Sequence, residues 1–410
     1  MNHSKVIGST LIVIGTSIGA GMLALPIISA AAGFLSAVLL LTAVWILMTF
    51  TALLLLEATL RFKQYENNFS TMAKATLGIV GQVGAWISCL MLMYALTAAY
   101  IAGNTSLIAS LFQSIGLHVP DWMNSLLFTG VLGAAIFWST SVVDYCNRML
   151  ISVKGILLAS SFAFMLPHIN VIHLFDGYPG HSSKYLLAAT TIFLCAFGFH
   201  NVVPSLVNYV GPEPKTLKKI IITGTTITFI VYFLWLLVTL GIVPLYGVNS
   251  FSTVAKAHES VGLFIQLLCA LLHSKWLCYG INGFADIAMT TSFFGVALGL
   301  FDFLADGFHR SNTRLGRFQS ALLTFIPPLV FALFYPEGFI RALGYASFFV
   351  IIITILLPVL IVYQLRKRAT PISLYRVGGG PWILIGLMIL SVGFIGLQIL
   401  SSLHYLPVLP

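Results

Sequence analysis

Two short stretches of this 410-residue chain put glycine, proline and small polar residues where apolar runs would otherwise continue unbroken. The first is Ile14-Gly15-Thr16-Ser17-Ile18-Gly19-Ala20-Gly21-Met22, with Pro26 one turn on. The second is Cys195-Ala196-Phe197-Gly198-Phe199-His200-Asn201, with Pro204 following. Glycine so dense opposes a continuous helix. A helix broken there leaves C=O groups at the end of one half and N–H groups at the start of the other, and such groups hold a cation or an anion without any charged side chain. Ionisable residues inside apolar runs are few: Glu57, Lys154 and Asp286. No HExxH or paired-aspartate pattern occurs, which argues against a hydrolase, and a channel would need a continuous polar lining. The five cysteines show no CxxC spacing, so no metal site or redox pair is expected and they read as packing residues.

The elements that carry these stretches follow from composition. Hydrophobic residues make up 59% of the chain and charged residues 8%, against about 25% charged in a soluble domain, so lipid must be the solvent. A spanning helix needs about 20 apolar residues. Spans are expected near 6–31, 34–60, 82–112, 124–141, 150–170, 185–209, 219–246, 278–305, 318–335, 341–364 and 382–405, an all-α polytopic protein of about eleven transmembrane helices in one domain. The apolar N-terminus is too long for a signal peptide and reads as the first span. With that terminus cytoplasmic, sixteen of the twenty basic residues fall on the cytoplasmic side and only Lys184, Lys256, Lys275 and Arg341 outside, as the positive-inside rule requires. The net charge of +9 therefore records topology and not a nucleic-acid partner. Residues 247–277 differ: Ser250-Phe251-Ser252-Thr253 can cap a helix running to Leu272, interrupted by Lys256, His258 and Glu259, which reads as an external re-entrant or surface helix pair.

The two broken spans are the first and the sixth, 180 residues apart. Glycine in membrane helices also serves close packing. Paired Gly/Pro-broken spans at matching places in two halves, however, point to a midplane site in an inverted-repeat transporter. The repeats would cover about 6–170 and 185–364, with 382–405 as an extra helix.

Several segments carry a family resemblance: Gly15 to Pro26, Thr51 to Glu57, Leu92 to Ile101, Phe197-Gly198-Phe199-His200, Thr291 to Asp302, Ile326-Pro327-Pro328-Leu329 and Ala332 to Pro336. They resemble the hydroxy and aromatic amino acid permease family, within the amino acid, polyamine and organocation transporter superfamily, and most of all its tyrosine-specific members. The departures lie mainly in 247–280. The resemblance implies a leucine-transporter-like five-plus-five fold with helices 1 and 6 broken and an extra helix 11. It also implies proton-coupled uptake of tyrosine across the bacterial inner membrane, the N-terminus cytoplasmic and the C-terminus periplasmic. Tryptophan or phenylalanine carriage and sodium coupling are the alternatives. The expected partners are an aromatic amino acid, a proton and membrane lipid, with no cofactor; the oligomeric state is left open.

An amino-acid zwitterion suits the breaks. N–H groups of Ser17, Gly19, Ala20 and Gly21 could hold its carboxylate, and carbonyls near Thr16 and at Cys195, Ala196 and Phe197 its ammonium. Gly19 and Gly21 would let it approach the backbone. For the ring, Tyr94, Thr97, Ala98 and Ile101 share one helix face, while Phe197, Phe199, His200 and Asn201 flank the second break. An aromatic stripe in a membrane bundle is more often packing, and its nearness to the break is what raises the functional reading; His200 could equally cap a freed carbonyl. Lys154 has two readings. It could snorkel to the cytosol, or, as the resemblance implies, its ammonium could replace the sodium ion that related carriers hold between spans one and eight, near Ser292. Thr290, Thr291 and Ser292 would otherwise offer hydroxyls to sodium. Asp286 could accept a proton or serve as a hydrogen-bonded structural acid.

Overall fold

The computed structural model describes residues 3–62, 68–114, 116–138, 140–175, 182–257, 260–308, 313–336, 338–368, 375–403 and 405–406. Lys63, His258, Glu259 and Arg310 fall outside them. The described residues are helical, with no strand. In chain order the helices are α1 (His3–Ser17), α2 (Gly21–Ser29), α3 (Phe34–Thr59), α4 (Phe69–Ser114), α5 (Asp121–Trp138), α6 (Thr140–Met165), α7 (Ser182–Ala196) and α8 (Val203–Val210). There follow α9 (Pro214–Ile242), α10 (Phe251–Lys256), α11 (Val261–Leu272), α12 (Lys275–Gly307), α13 (Arg314–Phe334), α14 (Phe339–Ile351), α15 (Leu357–Lys367) and α16 (Pro381–Ser402).

Among the described residues nine helical stretches are long and apolar enough to cross a membrane, and ten if α1 and α2, bent by 48°, form one span. The remaining expected span, near 124–141, is the helix α5, whose first turn carries Asp121 and Asn124. Large apolar side chains such as Leu35, Val131, Ile156 and Ile389 stand mostly exposed on the outside of the bundle, a surface that only lipid would tolerate. Inside, Trp235 of α9 stands among the rings of Phe162, Phe264 and Phe284 from α6, α11 and α12. This core surrounds the bend between α1 and α2.

The two ends of the bundle are closed by different chemistry. At one end Glu57 is fully buried, yet Arg366 meets both its carboxylate oxygens at 2.9 and 2.6 Å, Arg61 lies 3.3 Å away and the Val377 N–H donates at 2.8 Å. Four donors to one carboxylate account for an acid that burial alone would forbid. Gly78, at φ +74°, turns the first part of α4 away from its spanning part at this same end. At the other end α11 is only 12 residues long and buries Val261, Phe264, Ile265 and Leu268. It is therefore inserted into the bundle and does not lie on its surface, and residues 257–260 divide it from α10. Gly262 lets it reach α4: its N–H donates to Ser106 Oγ at 3.2 Å.

The cysteines correct the sequence reading. His273, left-handed at φ +50°, reverses the chain between α11 and α12, and brings Cys269 and Cys278 to a Cα separation of 5.0 Å, joined as a disulfide. A nine-residue spacing across a tight helical turn carries no CxxC signature, so the pairing is invisible without the turn. Cys89, Cys146 and Cys195 are free thiols.

Candidate functional site

The backbone between α1 and α2 stops being helical at Ile18–Ala20, and the groups freed there are met by side chains from three other helices. Lys154 of α6 is 4% exposed, and its Nζ donates to the Ile18 carbonyl at 2.7 Å and to Thr291 Oγ1 of α12 at 3.3 Å. A lysine at membrane depth costs about 3 kcal/mol, and a hydrogen bond to a charged group returns about 1.5–3 kcal/mol. Two such partners are therefore what holds the ammonium here, and the side chain does not snorkel. Ser292, next to Thr291, turns the other way and its Oγ accepts the Ala20 N–H at 3.1 Å. The Tyr232 hydroxyl of α9 lies 2.5 Å from the Ser17 carbonyl and 2.8 Å from the Ala196 carbonyl, so one phenol links the two breaks.

Close approach explains the glycines individually. A Cβ on Gly19 would stand 2.5 Å from Ser292 Oγ, which no side chain permits without displacement. On Gly21 it would stand 3.5 Å from Ala196 Cα, an ordinary contact, so Gly21 marks where α2 crosses the second break. Gly15 has open space around it and is not needed for contact. Of the N–H groups expected to stand open, those of Gly19 and Ala20 already donate, to the Ser17 carbonyl and Ser292, as does that of Ile18 between them and Ser17, to the Ile14 carbonyl.

The second break closes on itself. Gly198 N–H donates to the Cys195 carbonyl at 3.0 Å, Phe199 N–H to the Phe197 carbonyl at 2.9 Å and Val202 N–H to the Phe199 carbonyl at 3.1 Å. Its aromatic residues are fully buried: Phe197 meets Tyr232 edge-on with centroids 5.0 Å apart, and Phe199 lies 4.9 Å from the His200 ring. His200 Nε2 is 2.9 Å from Thr51 Oγ1 of α3. With the Thr51 proton on the Met48 carbonyl at 3.2 Å, that hydroxyl accepts from His200 and the imidazole proton is on Nε2. Nδ1 is then a buried acceptor with no partner among the described residues.

The structure thus gathers Ser17, Gly19, Ala20, Gly21, Ala196, Phe197, Lys154 and Ser292 around one depth. It leaves others aside. Thr16 is exposed and bonds only to the Ile12 carbonyl of its own helix, and Asn201 is exposed as well. Tyr94 donates to the Leu323 carbonyl of α13 at 2.8 Å, away from the breaks, while Thr97, fully buried on α4, donates to Met93 of its own helix. Cys195, half-buried, reaches Ser347 of α14, and Asp286, half-buried on α12, makes no ion pair among the described residues. No three His, Cys, Asp or Glu side chains among the described residues gather as metal ligands. Sequence reasoning missed Tyr232, because nothing in the α9 sequence distinguishes it from other lipid-span aromatics; only its fold-dependent reach to residues 215 and 36 positions away does.

A family model described as the tryptophan/tyrosine permease family matches residues 2–398. The tyrosine-specific transport system 1 of Haemophilus influenzae is 37% identical over 98% of this chain and 99% of its own length. The tryptophan-specific transport protein of Shigella flexneri is 34% identical over 98% and 97%, and the low affinity tryptophan permease of Escherichia coli strain K12 is 30% identical over 92% and 91%.

Proposed function

Because the chain belongs to the tryptophan/tyrosine permease family, we propose that it is a secondary active carrier that imports tyrosine by proton symport across the bacterial inner membrane. It is a transport permease of aromatic amino acids, an integral multi-pass membrane protein and not an enzyme. The observation that carries the coupling mechanism is the ammonium of Lys154 seated on the Ile18 carbonyl and Thr291 hydroxyl. A bound sodium ion would need the same oxygen ligands, and an ammonium supplies that charge without one. When the first helix rearranges, the carbonyl leaves, the ammonium loses its partner and its proton is released to the cytoplasm. Asp286, farther along α12, is the candidate second proton group.

Substrate recognition divides between the breaks. The carboxylate takes N–H groups of the segment Ser17 to Gly21 by displacing their present acceptors, and the ammonium takes the Ser17 and Ala196 carbonyls that Tyr232 now bridges. The ring lies against Phe197 and Phe199, where the unpartnered Nδ1 of His200 accepts a hydrogen bond from the phenolic O–H. A buried acceptor of this kind favours tyrosine over phenylalanine, since the analogue without a hydroxyl leaves it unpaired. Residues 6–170 and 185–364 form the two inverted repeats, and 382–405 the extra helix. The cytoplasmic N-terminus and periplasmic C-terminus put Cys269–Cys278 on the oxidising side of the membrane, where disulfides persist.

The test is uptake of labelled tyrosine into proteoliposomes under an imposed inward proton or sodium gradient, with unlabelled tryptophan and phenylalanine as competitors. Accumulation driven by protons and resisted best by unlabelled tyrosine supports the reading. Sodium-dependent accumulation, or stronger competition by tryptophan, gives the coupling ion or the substrate to the alternative.

A further inference from the structure

Away from the breaks, α6 and α12 part near the disulfide end of the bundle and leave a cavity of about 450 Å³, a size in the range of about 300–1,000 Å³ typical of small-molecule sites. Leu157, Phe164, Leu277 and Gly280 form its walls, and Trp276 and Tyr279 stand at its mouth. Those two rings meet edge-on with centroids 6.3 Å apart and are 84% and 65% exposed, the setting of aromatic side chains at a membrane–water boundary. His168 also lines the mouth, and its Nδ1 is 3.0 Å from the Phe164 carbonyl. That contact requires the proton on Nδ1, so Nε2 of the neutral ring is an acceptor.

The deep part of the cavity holds two serines in different states. Ser160 donates to the Leu157 carbonyl at 3.0 Å. Ser161, 2% exposed, has a hydroxyl that meets no partner among the described residues. A buried hydroxyl without a partner is unfavourable and calls for one from whatever fills the space. Gly280 keeps that space open, since a Cβ there would lie only in ordinary contact, 3.8 Å from Ser161 Oγ.

These features select an occupant. No Asp, Glu, Lys or Arg lines the cavity, which disfavours a charged molecule. A saturated acyl chain would fill the volume and leave Ser161 unpaired. An aromatic ring suits Phe164, Trp276 and Tyr279, and one polar atom at its inner end meets Ser161 when the buried hydroxyl turns toward the cavity. We propose that the cavity between α6 and α12 is a second small-molecule site, taking an uncharged aromatic of the phenol or indole class from the membrane interface with its O–H or N–H directed at Ser161. The site is separate from the breaks: Ser161 lies seven residues from Lys154 along α6, about 10 Å at the helical rise.

The experiment is photoaffinity labelling of the full chain in lipid nanodiscs with 5-azidoindole, the adducts mapped by peptide mass spectrometry. Labelling within 157–168 or 274–280 should saturate, fall with excess p-cresol and persist in excess tyrosine. Ser161→Ala should weaken apparent affinity about tenfold, the loss of one hydrogen bond in an apolar site. Gly280→Leu should abolish labelling, while Gly280→Ala, which the space accommodates, retains it and controls for folding. Labelling that fails to saturate, maps elsewhere, falls with tyrosine, or falls with palmitate while Ser161→Ala has no effect would overturn the proposal, the last outcome marking a slot for a lipid tail.

Discussion

Between α1 and α2 the freed backbone is met by side chains from elsewhere in the fold, with Lys154 on Ile18, Ser292 on Ala20 and Tyr232 on Ser17. Between α7 and α8 the chain instead folds its N–H groups back onto its own carbonyls, and the side chains that project there are buried aromatics and one histidine. The same Gly/Pro interruption therefore produces two different surfaces. The first break depends on the positions of α6, α9 and α12, so any movement of those helices changes its partners. The second pairs the Gly198, Phe199 and Val202 N–H groups within its own chain, takes Tyr232 on the Ala196 carbonyl and Thr51 on His200 from other helices, and buries its rings. In the proposed function the first couples ion to substrate and the second reads the substrate's ring.

The contrast is most severely tested at Gly19. Gly19→Val should abolish tyrosine binding in a folded, inserted protein, because its Cβ would enter the space of Ser292 Oγ. Gly19→Ala combined with Ser292→Ala removes the colliding oxygen and should recover part of the binding, measured by scintillation proximity. Gly21→Ala, at ordinary contact distance from Ala196, should bind nearly as well as the parent. Equal losses at both glycines would erase the distinction between the first break's crowded approach and its neighbour.

Tyr232 belongs to both breaks, and its removal separates them. Tyr232→Phe leaves two buried carbonyls without their shared donor, at a cost of about 1–3 kcal/mol. The thermal midpoint of the empty carrier should fall, and saturating tyrosine should raise it by more than in the parent, since the ammonium re-pairs the carbonyls. An unchanged substrate-induced shift would show that the ammonium binds elsewhere.

At the second break, His200→Leu should reduce the preference for tyrosine over phenylalanine by about tenfold, the value of one hydrogen bond, with little change in phenylalanine inhibition. A parallel loss for both amino acids, read from competition curves, would give His200 a purely structural role through Thr51. The smallest effect is expected at Tyr94: Tyr94→Phe loses only its bond to Leu323, so stability should drop by about 1 kcal/mol while tyrosine affinity is unchanged.

Apolar run length and the Gly/Pro clusters were enough to locate the helices and both interruptions, because lipid leaves a chain few alternatives to helix. Side-chain direction was less legible. Ser17 and Thr16, or His200 and Asn201, are adjacent in sequence but about 100° apart on a helix, so one of each pair faces the interior and its neighbour is exposed. Tyr94 shares a helical face with Thr97 in the abstract, yet α13 draws its hydroxyl aside. Of the span-eight hydroxyls, Ser292 was the one expected beside the ammonium, and a single step of rotation gives that place to Thr291. Tyr232 and the Cys269–Cys278 pair depend on tertiary approach and carry no local pattern at all.

The claim that the first break couples proton to substrate is tested most directly at Lys154. Reconstituted Lys154→Ala and Lys154→Arg carriers are compared with the parent for tyrosine accumulation under an inward proton gradient, with equilibrium tyrosine binding measured in parallel. The account predicts that both variants bind tyrosine and that neither accumulates it, the arginine because guanidinium keeps its proton throughout the cycle. Accumulation by Lys154→Ala at the parent's level would contradict it.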